Sequence, residues 1–503
     1  MPEASLPPPS GRFATTLWPP ALFGLLIVVP WLWPWAPGPS VHAVPLMASG
    51  ACMAAAGTLW LLSGRVRGTL APTAAGAWLA AAAASSVIAL LQWFGWADGL
   101  PGVPPSRLGE AYANLRQRNL FASLTSIGLV AALWLHARIG AAGRPAALFH
   151  AMGLLLGLGC AASLSRTGAL QWWLICGIAW MRPGSRRLAG VALGSYLAAL
   201  AVLPWALSAL QGMDAPSLLG RLQDGPACGS RRVLWSNVLH LISLKPWLGW
   251  GLGELDYAHY ATLYPGARFC DILDNAHNLP LHLAVETGLP LALAACGLLA
   301  GWVWRRRPWR EREPARVLAW GVLGVIALHS LLEYPLWYGP FQFATLLALV
   351  LLGRPEAAGA QTPPQARVVA LVLAAGMAAG LAWAGAAYGR VSQAYLTPEA
   401  RRPAYRADPL RDVRPGPFGG HAAFARLSLT PLGRASAVQV YGLALRLLHF
   451  SPEPKVIEAA IESAVLLGQD EEAMWHLARY RAAFPAEHAA WARRNAAPMP
   501  QRP

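Results

Sequence analysis

Residues 188–210 read LAGVALGSYLAALAVLPWALSAL, an apolar stretch with no charged side chain. Wound as a helix at 1.5 Å per residue, it is long enough to cross the ~30 Å hydrocarbon core of a bilayer. Arg182, Arg186 and Arg187 precede it, and a long polar segment follows it. Working outward, comparable runs occupy 18–36, 42–63, 71–95, 119–137, 145–163, 168–182, 284–304, 317–335, 338–353 and 368–388. The run at 168–182 is short, and Pro30 and Pro34 should kink or end the first. The expected fold is an all-α polytopic membrane protein of about eleven transmembrane helices.

Composition agrees. Of 503 residues, 55% are hydrophobic and only 13% charged, whereas a soluble domain carries roughly 25% charged residues. The 24 Trp suit the headgroup region. A formal charge of +16 could suggest nucleic acid, but much of it sits in short loops between apolar runs, where the positive-inside rule already places it.

The same rule sets the orientation. With residues 1–17 cytoplasmic, the inner loops carry Arg65 and Arg67, Arg138 and Arg144, Arg182 to Arg187, Arg305 to Arg312, and Arg354 and Arg367. The expected organisation is then helices one to seven over 18–210, a long periplasmic loop at 211–276, helices eight to eleven over 277–388, and a periplasmic helical tail at 389–503. Residues 1–17 lack a cleavable signal pattern. Within the tail, Ala435–Leu448, Pro454–Leu467 and Glu471–Phe484 show helical periodicity, the last two as a pair linked by Gly468–Asp470. That tail could contact a partner, pack on the outer loop, or be a solvated cap. Cys52, Cys160, Cys176 and Cys296 fall in apolar runs. Cys228 and Cys270 fall in the long loop, where they are either a disulfide or two free thiols.

Outer segments should be poor in Arg, yet Arg107, Arg116, Arg118, Arg166, Arg221, Arg231, Arg232 and Lys245 lie there. One such cation could snorkel to lipid headgroups. A set from three separate segments points instead to an anionic ligand such as a diphosphate, which guanidinium groups grip well. Two further clusters carry ionisable groups at the outer membrane edge. In Asp271-Ile-Leu-Asp274-Asn-Ala-His277-Asn278, His277 could take a proton and Asp274, one helical turn earlier, could orient it. Glu286 lies deeper and needs a partner. No ligand spacing for a metal is present. In His329-Ser-Leu-Leu-Glu333-Tyr334-Pro-Leu-Trp337-Tyr338, His329 and Glu333 would share a helix face, and the aromatic residues form either a belt or a sugar platform.

Asn114-Leu-Arg116-Gln, Ser165-Arg166-Thr-Gly, Ser230-Arg231-Arg-Val-Leu-Trp and Pro246-Trp-Leu-Gly-Trp-Gly, with the Asp274–Pro280 and His329–Tyr338 segments, together resemble the O-antigen ligase and polymerase superfamily. Within it, they resemble the bacterial protein O-oligosaccharyltransferases, or pilin glycosylation ligases. That resemblance implies transfer of a glycan from an undecaprenyl-diphosphate carrier to an acceptor at the periplasmic face of the inner membrane, without nucleotide, cofactor or metal. It casts His277 as the essential loop histidine and Arg166, Arg231 and plausibly Arg116 as diphosphate ligands. Asn278, Glu286, His329, Glu333, Tyr334 and Tyr338 would support the site or the acceptor. Arg118 follows Gln117 where the family often has proline, which leaves the role of the Arg116 segment open. The acceptor is expected to be a pilin-like protein, with lipid A core ligation and repeat-unit polymerisation as variants. A lipid-linked glycan flippase would need polar groups at all membrane depths, whereas these cluster at one edge. A scaffold acting through its tail would make the outer Arg and His dispensable.

Overall fold

The computed structural model describes residues 14–140, 143–212, 216–218, 220, 227–353, 364–414 and 416–496. It is all-helical among these residues. Ten of the eleven apolar runs each form one helix: Ala14–Leu32, Ala43–Leu62, Leu70–Trp93, Arg118–Ile139, Gly143–Ala162, Arg166–Trp180, Arg186–Gln211, Pro314–Ser330, Gly339–Gly353 and Pro364–Val391. Six stretches combine the length and hydropathy needed to cross a bilayer: Ala43–Leu62, Leu70–Trp93, Arg118–Ile139, Gly143–Ala162, Pro183–Gln211 and Arg367–Tyr395. The first helix ends between Pro30 and Pro34, as ring sterics require.

The chain divides into two compact units. The first comprises Met1–Leu222, Pro308–His329 and Pro335–Ala382. At its centre the Arg118–Ile139 helix buries 15 of its 22 residues, packing against Leu70–Trp93, Gly143–Ala162 and Arg166–Trp180. Small residues allow the close approach. A methyl group on Gly128 would overlap Ala82, and one on Gly159 would overlap Ser86, one turn further along the same helix.

The second unit comprises Gln223–Arg307, Ser330–Tyr334 and Trp383–Pro503. Two expectations are corrected in it. The segment 211–276 is not simply a loop, because it contains the helices Arg231–Leu244 and Leu255–Ala261. The apolar run at 284–304 is not one helix. It is divided at Gly288 into Leu279–Thr287 and Leu289–Arg306. Gly288 takes φ +84, and Pro290 starts the next helix. A methyl group on Gly288 would collide with the Trp247 carbonyl, and one on Gly249 (φ +68) with the Glu286 carbonyl. Left-handed strain of about 1–2 kcal/mol adds to each clash. Gly288→Ala and Gly249→Ala are therefore each expected to destabilise this unit by about 3 kcal/mol or more, read as a lowered midpoint of thermal unfolding in nanodiscs. A change of a degree or less would contradict the backbone-to-backbone packing.

Cys228 and Cys270 are joined as a disulfide with Cα atoms 5.4 Å apart and a sequence separation of 42. Closing a loop of that length stabilises the fold by about 4 kcal/mol in the chain-entropy model. Reductant is expected to lower the unfolding midpoint of the native chain and to leave a Cys228→Ser/Cys270→Ser variant unmoved.

The tail folds as Gly419–Leu429, Ala437–Leu448, Pro454–Leu466, Asp470–Ala483 and Pro485–Ala496. Its core of Val440, Leu443, Leu447, Ile457, Ile461 and Tyr480 takes in Tyr260 from the Leu255–Ala261 helix. Of the three roles open in sequence, packing on the loop is therefore realised. The Tyr260 hydroxyl lies 2.8 Å from His476 Nδ1, and Arg479 donates to the Ala261 carbonyl at 2.8 Å. Burial, then the Arg479 charge, pushes the His476 pKa down from 6.5 to about 4. The unfolded chain accepts a proton that the folded chain refuses. The stability due to neutral His476 is thus whole above pH 6.5 and lost as pH falls toward 4. Asp256, raised by burial from 3.8 to about 7, acts in the opposite sense over most of that window. His476→Gln is accordingly expected to lose less stability than the native chain between pH 6.5 and 4, compared by unfolding midpoints. An unchanged slope would contradict the neutral assignment.

Candidate functional site

The second unit brings His277, Glu333, Arg231, Asn278 and Tyr334 together. The loop before Leu279 supplies His277. Asn275 is buried and accepts the His277 backbone N–H at 2.9 Å, holding His277 at φ +50. Asn278 then caps the Leu279–Thr287 helix by accepting from the Leu281 N–H at 3.1 Å. Its amide also donates to the Leu331 carbonyl at 2.9 Å, tying the histidine loop to the Ser330–Tyr334 segment. Arg231 starts the Arg231–Leu244 helix behind the cap of Ser230. One turn on, Trp235 donates to the Ala276 carbonyl at 3.1 Å and fixes that helix against the same loop.

Glu333 joins these parts. Its carboxylate is buried at 4% exposure, where an unpaired charge would be costly. One oxygen pairs with the Arg231 guanidinium, and the other lies 2.7 Å from His277 Nδ1. A carboxylate only accepts hydrogen bonds, so a neutral His277 beside it carries its proton on Nδ1 and a lone pair on Nε2. The Tyr334 ring stands edge-on to the imidazole at 4.9 Å. Chemically, this is a positioned base with a guanidinium on the same carboxylate.

Several expectations are corrected. Asp274 is exposed and the 271–278 segment is not helical, so it does not sit one turn from His277, and Glu333 orients the ring instead. Helix Pro314–Ser330 stops before Glu333, so His329 and Glu333 share no helix face. His329 is fully buried in the first unit, with Nδ1 2.8 Å from the Ser123 hydroxyl. Ser123 donates to Gln171, which donates to the Val325 carbonyl at 3.1 Å, so His329 belongs to a polar link between helices. Glu286 does find a partner in the Gly253 N–H at 2.8 Å, with His282 Nε2 at 3.5 Å, and so fixes the 250–253 turn. Tyr338, in the first unit, stands edge-on to His42.

Some outer cations find partners within the chain. Arg118 pairs with Glu110, Lys245 lies 4.0 Å above the Trp250 ring, and Arg116 (φ +59) donates to the Pro34 carbonyl at 2.5 Å. Arg166 is exposed at the N-terminus of Arg166–Trp180, where Ser165 accepts from the Gly168 N–H at 3.0 Å and donates to Asn119 at 2.6 Å. Arg166 and Arg231 therefore share one local design, an arginine behind a serine cap at the positive end of a helix, which favours anions. Arg221 lies outside the described residues. Among those residues, no group of His, Cys, Asp and Glu is arranged to hold a metal ion.

Trp235 and Asn275 were not singled out in sequence. An Asn two residues before a loop histidine is a turn signal that could have marked the second. Only the fold reveals the first.

Comparison with known proteins yields three family models along the chain: a protein glycosylation ligase model at 111–136, an O-antigen ligase model at 151–296, and the C-terminal part of a virulence factor membrane-bound polymerase at 317–497. The chain is also 26% identical over 307 residues to a general O-oligosaccharyltransferase of Acinetobacter baylyi, a match covering 57% of this chain and 50% of that protein. The chain thus spans about half the length of that relative. The ligase models cover both the Arg116 and the Arg166-to-Glu286 segments, so these parts of the chain are similar to the O-antigen ligases and protein glycosylation ligases.

Proposed function

We propose that this protein transfers a preassembled oligosaccharide from an undecaprenyl-diphosphate carrier to a Ser or Thr hydroxyl of a periplasmic protein such as pilin. The observation that carries this reading is the buried Glu333 carboxylate shared by His277 and Arg231. An acceptor hydroxyl is a poor nucleophile, and His277 Nε2 takes its proton as the glycosidic bond forms. The leaving diphosphate gathers negative charge, which Arg231 stabilises at the positive end of its helix. The sequence resemblance assigns the same task to Arg116 and Arg166. Reaction is a single displacement at the anomeric carbon with inversion, without metal. On this reading the chain spans the inner membrane eleven times, with the 211–276 segment and the tail on the periplasmic side.

Product stereochemistry tests the mechanism. An inverted anomeric linkage and no sugar adduct on the intact protein by mass spectrometry are expected. A trapped glycosyl-protein intermediate would rule the single displacement out. Transfer to lipid A core in place of pilin would reassign the acceptor and leave the donor site as proposed.

A further inference from the structure

The turn Pro246–Gly253 reads PWLGWGLG and carries no polar side chain, although it lies within a segment expected to stand in water. Its tip is open. Trp247, Leu248 and Leu252 are 75%, 86% and 78% exposed. The turn is nonetheless held firmly from within. The N–H groups of Trp250 and Gly251 donate to the carbonyls of Val285 and Glu286 at 2.9 and 3.0 Å. Gly249 N–H donates to the Lys245 carbonyl at 3.2 Å, Gly253 N–H to the Glu286 carboxylate at 2.8 Å, and Leu289 N–H to the Pro246 carbonyl at 2.8 Å.

This combination has a specific meaning. A backbone enters hydrocarbon at least cost where its polar groups are satisfied internally, and these bonds do that for four of the seven N–H groups of the turn and for the Pro246 carbonyl. The last of them joins the turn to the first residue of the Leu289–Arg306 helix. That helix is apolar until its closing arginines, and it leaves Leu291, Leu293, Leu298 and Trp304 exposed. An apolar helix uncovered along its length is one that lipid covers. The turn adjoins this surface through that bond, and Lys245, held over the Trp250 ring, brings a cation to its edge, where headgroups lie.

We infer that Pro246–Gly253 is a membrane-immersed wedge whose partner is bilayer lipid, with Trp247, Leu248 and Leu252 inserted among the acyl chains at the end of the Leu289–Arg306 helix. The wedge would fix the depth of the Arg231–Leu244 helix that precedes it. The inference is independent of the transferase reading, because its test reads immersion and not turnover.

The test is a nitroxide label on Leu248→Cys in the full chain carrying Cys296→Ser, reconstituted in vesicles of phosphatidylethanolamine and phosphatidylglycerol. Leu252→Cys is a second site in case the first disturbs folding, and Met474→Cys on the exposed tail is the aqueous control. Relaxation of labels 248 and 252 is expected to be enhanced several-fold more by oxygen than by a water-soluble nickel chelate, relative to label 474. Nickel accessibility equal to that of label 474 would overturn the inference. Protection from both reagents would also overturn it, since the occupant would then be protein, either a second copy or an acceptor.

Discussion

Replacing His277 with alanine is expected to lower glycan transfer by about 10²–10⁴-fold, the usual contribution of a positioned general base, while the protein remains folded. The imidazole is partly exposed and lies outside the apolar cluster of Leu234, Val238, Leu241, Leu273, Ala276 and Val285 that holds its loop. After its removal, Glu333 keeps the Arg231 guanidinium as counter-charge, so no buried charge is stranded. The loss should therefore fall on kcat at saturating donor, with donor affinity and unfolding midpoint near native. A variant that bound donor poorly or melted early would mark His277 as structural.

Glu333→Gln is expected to cost nearly as much, for a different reason. The amide is close in shape but can present its N–H₂ to Nδ1, which would place the imidazole proton on Nε2 and remove the base. It also leaves Arg231 without its acid at a site where Glu333 is almost wholly enclosed. A drop of roughly 10²-fold or more follows, together with a measurable loss of stability. The decisive feature is non-additivity. In the His277→Ala background, Glu333→Gln should lower activity little further, because both substitutions remove the same function. Fully additive effects would mean that Glu333 acts through Arg231 alone. Arg231→Lys retains the charge but not the fork, so it separates the two roles by affecting donor release more than the base.

How much of this was legible in the sequence follows from range. Helices were legible because hydropathy is a local signal. Ten of the eleven apolar runs each became one helix, and the first ends where its prolines require. Gly288 was less legible, since a single glycine in an apolar run reads as tolerable until Trp247 is found against it. The residues of the site were named from sequence, but their partnerships were not. An ionisable pair at the end of an apolar run marked Glu333 as a candidate. Spacing then offered His329, four residues away. The helix ended first, and the partner proved to be His277, 56 positions distant. Asp274 failed by the same cause, a helical assumption across a segment that Asn275 turns. No periodicity carries such long-range pairing.

The most direct measurement is transfer by the purified full chain in lipid vesicles, supplied with an undecaprenyl-diphosphate oligosaccharide and a pilin-like acceptor in EDTA, beside the His277→Ala variant. Transfer by the native chain and its loss in the variant are the predicted result. Equal transfer by both would contradict the assignment of His277 as the base. Absence of transfer by the native chain to either pilin or lipid A core would contradict the transferase reading itself.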